Sequence, residues 1–285
     1  MDQGTFILPV RKWFKGHLRA WRRQWNSTFH SFSPSDVTAA LRSLGVKPGD
    51  VVFAHVSYDS FVGFTGGPLD VLSSLRQAVS TTGTLMMPSI PFEGLAQDYV
   101  RSGRTFDVRR TPSLAGLVTE LYRRAPGTAR SLHPTHPVLA CGPNADELLR
   151  DHMRARTPCG EHSPFADLAD AGAKIVLLGT GIDVLTYYHY LEEVLEDTLP
   201  RSPFTKETFD VVFRGYSGET LHVVTRLYDA ELSRRRDLSV LESELKQQAE
   251  WRKLRVGRLR VVVLEVREVS HAVRALAERG TYCYV

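Results

Sequence analysis

Cysteine is scarce in this sequence, and the three present, Cys141, Cys159 and Cys283, are widely separated and odd in number. They make neither a disulfide framework nor a CxxC pair of the kind that holds zinc, so a reducing compartment and no bound metal are expected. Long apolar runs are also missing. After Asp2 only Phe6 to Val10 is apolar before cations begin, too short for a membrane span and unlike a cleavable signal. A cytoplasmic location is expected. The glycines form neither a Walker loop nor GxGxxG, and GYSGE at 215 to 219 departs from the GxSxG of serine hydrolases. Internal repeats and low-complexity tracts are absent too.

What remains is an ordinary globular composition: 285 residues, 42% hydrophobic and 24% charged, with a formal net charge of +4. That is length for one large domain or two small ones. The excess of cations disfavours polycationic partners and favours anionic ones.

One stretch organises the chain. Lys174 to Glu193, KIVLLGTGIDVLTYYHYLEE, reads as a strand, a glycine turn at Gly179-Thr180-Gly181, and a helix capped by Asp183. On that helix Thr186, His189 and Glu192 or Glu193 recur at i, i+3 and i+6 or i+7, placing a hydroxyl, an imidazole and a carboxylate on one face. The set can move protons. A single histidine among Leu185, Tyr188 and Leu191 is equally what a hydrogen-bonded structural residue looks like.

Elsewhere, strands and helices alternate from 37 to 197. Ser33-Pro34-Ser35-Asp36 starts a helix, Val51 to Ala54 is a buried strand leading to His55 and Ser57, and the loop FVGFTGGPLD opens the helix Val71 to Val79. Gly63, Gly66 and Gly67 allow close backbone approach, so amides there could cradle phosphate; an ordinary strand-to-helix turn is the plainer reading. A strand at Thr84 to Met87 precedes a long polar region, Ile90 to Thr111, with Glu93, Asp98 and Asp107. Helices are expected over Ser113 to Arg124, Asn144 to Met153 and within SPFADLADAGA. His133 and His136 have metal-like spacing, but Pro134 and Pro137 argue for a rigid extended segment without a metal. After Pro200 a hairpin (Phe209 to Phe213, Thr220 to Val224), a helix, the strand Val261 to Val266, another helix and a terminal strand Tyr282 to Val285 suggest an antiparallel part of the same sheet. The pattern predicts an α/β fold with crossover connections.

Residues 1 to 32 stand apart as an extension to a domain spanning 33 to 285. They hold three of the four tryptophans and Arg11, Lys12, Lys15, Arg19, Arg22 and Arg23. Phe14, Leu18, Trp21 and Trp25 share one stripe of a helix, so a basic amphipathic helix is expected there. It could dock on the body, join a homodimer or touch an anionic membrane surface; a nucleic-acid role lacks a recognition motif.

Taken in order, HVS(57), GFTGG(67), GTLMMPS(89), FD(107), RTPS(113), RSLHP(134), SPF(165), LLG(179) and T(186)YYHYLEE(193) resemble the aminoglycoside 3-N-acetyltransferase family over about residues 36 to 230. The resemblance implies a mixed central sheet with helices on both faces, acetyl-CoA as co-substrate and direct transfer to an amine. It implies His189 as general base with Thr186 and Glu192 beside it, and Asp229 in an orienting or substrate-binding role. His55, Ser57, Ser60, Phe61, Gly63, Gly66 and Gly67 would form the cofactor loop, with Ser89, Thr111 and Ser113 along the pantetheine channel. Glu93, Asp107 and His133 would meet the acceptor.

The chemistry asks for such residues. An ammonium must lose a proton before it attacks a thioester, and an imidazole held by a carboxylate is a suitable base. Because the chain is basic, the expected acceptor is an amino sugar on an anionic carrier, with an antibiotic as the alternative. A non-catalytic membrane-surface or scaffold protein is the reading from another class.

Overall fold

The computed structural model describes residues 31–284, so the N-terminal amphipathic helix expected over residues 1 to 32 lies almost wholly outside the described residues. Phe32, assigned to that extension, belongs to the body. It is buried, its N–H donates to the Gly63 carbonyl at 3.1 Å, and its ring meets Phe64 at 5.3 Å.

The main sheet has seven strands: β1 (Val51–Val56), β2 (Thr84–Pro88), β4 (Ala129–Arg130), β5 (Val138–Cys141), β6 (Lys174–Leu178), β9 (Arg252–Val256) and β10 (Leu259–Glu265). Their spatial order is β4-β5-β2-β1-β6-β10-β9. The organising strand β6 runs parallel to β1, with Phe53 opposite Ile175, and antiparallel to β10, with Val262 opposite Leu177. β1 and β2 are also parallel, and the crossover between them carries the helix Pro68–Val79 across one face.

Strands β1 and β6 are buried along their whole length, as VVFAHV and KIVLL demand. Alternate side chains divide between two cores. Phe53, Ile175, Leu177, Val262 and Leu264 pack with the helices Tyr187–Val194, Ser239–Gln247 and Val266–Glu278. Val52, Ala54, Val176, Leu178 and Val261 pack with the helices Pro34–Ser43, Pro68–Val79 and Leu117–Arg124. Helices therefore cover both faces of a mixed sheet, as expected. Lys174, at the buried start of β6, is neutralised by Asp50 at 2.8 Å and Glu265 at 3.7 Å.

The tail departs from expectation. The hairpin β7 (Phe204–Arg214) and β8 (Thr220–Tyr228) joins β3 (Phe106–Asp107) in a separate three-stranded sheet. Its strands alternate buried and exposed, so one face alone needs cover, and the Ile90 to Thr111 region supplies it: Phe106 meets Phe213 at 6.1 Å, and Ala96 packs with Phe209 and Leu227. Of the strands after Pro200, β9 and β10 are the ones that join the main sheet, antiparallel to β6 and to each other, as β5 and β4 do at the other edge. Tyr284 closes a single bridge with Arg236 in place of a terminal strand.

Two local expectations also fail. SPFADLADAGA makes one 3-10 turn, Ala166–Leu168, since Pro164 and Gly172 leave too few residues to propagate a helix. Asp183 sits in another 3-10 turn, Ile182–Val184, and extended Leu185 separates it from the helix, which starts at Tyr187 with Thr186 in the cap position.

Candidate active site

β6 and its turn deliver the first half of the site. The turn at Gly179 (φ +69°) lies against Ser57 and Ser60, and the Ser60 hydroxyl donates to the Gly179 carbonyl at 2.6 Å. A residue with a Cβ would strike the Ser60 side chain there. After the 3-10 turn, the helix Tyr187–Val194 buries Tyr187, Tyr188 and Leu191 and leaves His189 at the margin of the core, its side chain 20% exposed.

His189 and Glu192, one turn apart, meet at 3.0 Å between Nδ1 and Oε2. The carboxylate has no exposure, and a fork from Arg236 holds it: Nη2 reaches both oxygens at 2.9 Å and Nε reaches Oε1 at 3.1 Å. The Tyr284 hydroxyl donates to the same Oε1. Burial pushes the Glu192 carboxyl up, yet His189, Arg236 and Tyr284 more than offset this and hold it below the usual carboxylate range. An ionised Glu192 keeps the proton on His189 Nδ1 and leaves Nε2 with its lone pair. Burial, then the Arg236 charge, holds the imidazole below its ordinary value against the pull of Glu192.

Rings enclose the imidazole. Tyr228 lies 4.4 Å from it at 32°, and His136 stands edge-on at 5.8 Å. Phe204 stacks on Tyr228, and Phe92 meets His136.

A cleft of about 540 Å³ opens between His55 to Asp59 at the end of β1, Leu114 to Leu117 at the start of the helix Leu117–Arg124, and Thr180, Val184 and Thr186. It thus reaches Thr186, one turn before His189. Gly116 forms its wall with φ +119°, 3.4 Å from the Val56 carbonyl at an added Cβ. Glu120 pins this wall: it accepts from the Ser113 N–H at 2.8 Å and from Arg123 and Arg124. At the inner end, His55 Nε2 is buried without a partner, and burial lowers that imidazole to about 3. Ser89 Oγ is likewise buried and unpartnered.

Of the residues named from sequence, His189 and Glu192 are in contact, Thr186 stands at the start of the same helix with its hydroxyl on the Val184 carbonyl at 3.4 Å, and His55, Ser57 and Thr186 line the cleft. The glycine loop does not join them. Gly67 N–H donates to Asp70 Oδ2 at 2.7 Å, so a first-turn carboxylate engages that amide. Gly66 abuts Asp70 and Phe64, Gly63 serves the Phe32 bridge, and Phe61 is buried among aromatic rings. Thr111 Oγ1 accepts from the Asp107 N–H at 2.8 Å, while Asp107 Oδ1 accepts from Arg109 and Arg110 to close a turn. Glu93 is exposed.

Two further residues named from sequence lie away from the imidazole. Asp229 caps the helix Ala230–Arg234, accepting from the Leu232 N–H at 3.0 Å, and pairs with Arg201 at 3.4 Å; neither bond goes to His189. His133 is fully buried, stacked on His152 at 4.7 Å, and cannot meet an acceptor; its neighbour His136 is the histidine beside His189. Sequence reading missed Arg236, Tyr228 and Tyr284, which lie 35 or more residues from their partners. Among the described residues no cluster of metal-binding side chains occurs.

The model of the aminoglycoside 3-N-acetyltransferase family matches residues 53–278. The chain belongs to that family. It is 31% identical over 206 residues to aminoglycoside N(3)-acetyltransferase III of Salmonella sp, covering 68% of this chain and 70% of the relative. It is 34% identical over 165 residues to aminoglycoside N(3)-acetyltransferase VIII of Streptomyces fradiae, covering 53% and 57%. Among solved structures, aminoglycoside acetyltransferase AAC(3)-Xa superposes with a TM-score of 0.77 at 24% identity, covering 93% of this chain and 99% of that one. AAC-IIIb in its binary complex with CoASH superposes at 0.74 and 24%, covering 87% and 97%. This membership bears out an acyltransferase on an α/β scaffold. No described helix is long and apolar enough to cross a membrane.

Proposed function

We propose that the chain transfers the acetyl group of acetyl-CoA to a primary amine of an aminoglycoside, with His189 as general base. The observation that carries this reading is the 3.0 Å contact of His189 Nδ1 with a buried, arginine-held Glu192, one turn from a cleft. The cleft fits the donor: its volume is in the usual range for a cofactor pocket, roughly 300–1,000 Å³, and the partnerless His55 Nε2 offers a polar anchor. The cleft also reaches Leu117 and Thr119 in the first turn of a helix, where backbone N–H groups favour phosphate oxygens.

His189 Nε2 takes the proton of the acceptor ammonium, the freed amine forms a bond to the thioester carbonyl carbon, and the carbon–sulfur bond then breaks. Thr186 is the side-chain hydroxyl at hand for the developing oxyanion. Nε2 releases this first proton to solvent, then takes the second proton from the attacking nitrogen of the tetrahedral adduct and passes it to the leaving thiolate, which yields the neutral amide and CoA and restores the base. Glu192 steadies the imidazolium between these steps.

Among acceptors, the relatives favour the antibiotic over the carrier-linked amino sugar. Their names specify aminoglycosides, and two neighbouring structures hold a gentamicin and apramycin. A panel of gentamicin, apramycin and uridine-diphosphate amino sugars, assayed by thiol release with product mapping, tests the choice. Turnover of the antibiotics with the 3-amino group acetylated is expected. Turnover confined to nucleotide sugars would reverse the choice.

A further inference from the structure

Glu192 has two partners besides His189 that no role yet explains. Arg236 and Tyr284 both reach it from outside the helix, one from the segment after Ala230–Arg234 and the other from the chain's last turns. Their segments are zipped together: the two residues form an antiparallel bridge, and the Asp237 N–H donates to the Cys283 carbonyl at 2.8 Å. The tail is anchored independently of Tyr284, since Cys283 is buried and the Tyr282 hydroxyl donates to the Thr198 carbonyl at 2.6 Å.

We propose that Tyr284 is a positioning residue of the His189–Glu192 dyad, sharing with Arg236 the task of fixing the carboxylate so that His189 Nε2 is presented in one orientation. The hydroxyl and the guanidinium together saturate Glu192 Oε1, while Oε2 takes one bond from Arg236 Nη2 at 2.9 Å and is the oxygen that meets His189. A carboxylate so loaded gives less of its charge to the imidazole, which keeps the base free near neutrality. The groups facing His189 are Glu192 on its own helix, Arg236, Tyr228 from β8, and His136 from the segment before β5, with Tyr284 behind Glu192.

The proposal rests on the acetyltransferase reading for its kinetic consequence but not for its titration. Carbon-13 or nitrogen-15 NMR titration of the His189 imidazole in the wild type, Tyr284→Phe and Tyr282→Phe requires no turnover. Loss of the Tyr284 hydroxyl is expected to raise the His189 midpoint by about half a unit, as Glu192 turns more of its charge to the ring. It should also lower kcat about tenfold with KM for acetyl-CoA unchanged. Tyr282→Phe, which loosens the tail without touching Glu192, should leave the midpoint in place. An unmoved midpoint in Tyr284→Phe, or equal movement in both variants, would overturn the proposal. Wild-type protein that acetylates no amine but shows the selective shift would sink the proposed function alone.

Discussion

Tyr228 sets its ring 4.4 Å from the His189 imidazole while its hydroxyl donates to the Glu193 carboxyl at 2.5 Å. Two consecutive glutamates thus serve one histidine in different ways. Glu192 is ionised and arginine-held, whereas Glu193 is turned to Tyr228, Thr157 and the Cys159 N–H. Burial pushes the Glu193 carboxyl up to about 7, against the hydrogen bonds that favour its charge.

This difference makes stability depend on pH. A folded-state value above the unfolded one means that the folded protein holds the Glu193 proton more tightly. The contribution is complete below about 4.5 and is lost as pH rises through about 7. Glu193→Gln should therefore flatten the fall in melting temperature between about pH 5 and pH 8. Parallel melting curves for the two proteins would contradict the assignment.

Gly116→Ala should weaken both fold and donor binding. Its φ of +119° is costly for any L side chain, and the new methyl would stand 3.4 Å from the Val56 carbonyl in the cleft wall. A loss of about 1–2 kcal/mol in unfolding free energy and a several-fold rise in KM for acetyl-CoA are expected. Denaturant titration and initial rates check the two.

Asp70→Ala separates a cap from a phosphate site. Removing the carboxylate frees the Gly67 N–H and should cost about 1 kcal/mol of stability, with acetyl-CoA binding unchanged. Tighter or weaker CoA binding by calorimetry would return the glycine loop to the donor site.

Local signals carried most of the fold. The fully apolar runs of β1 and β6 and the Ser33 to Asp36 capping box were legible because strand burial and helix caps are written within a few residues. The Thr186, His189 and Glu192 spacing was legible for the same reason. Arg236 and Tyr284 were not, since nothing near either residue marks a carboxylate 44 or 92 positions away. Asp229, expected in an orienting or substrate-binding role, also caps the helix it starts, a bond that its place just before Ala230 announces. The hairpin's own sheet was hidden because alternation predicts a half-buried strand without naming its neighbours.

The most direct test is acetyl-CoA turnover by the wild type and His189→Ala, with calorimetric binding of acetyl-CoA measured on both. A fall in kcat of at least about 100-fold, with binding affinity unchanged, is expected of a base that lies outside the donor cleft. Near-wild-type kcat in His189→Ala would contradict the assignment of His189 as the base.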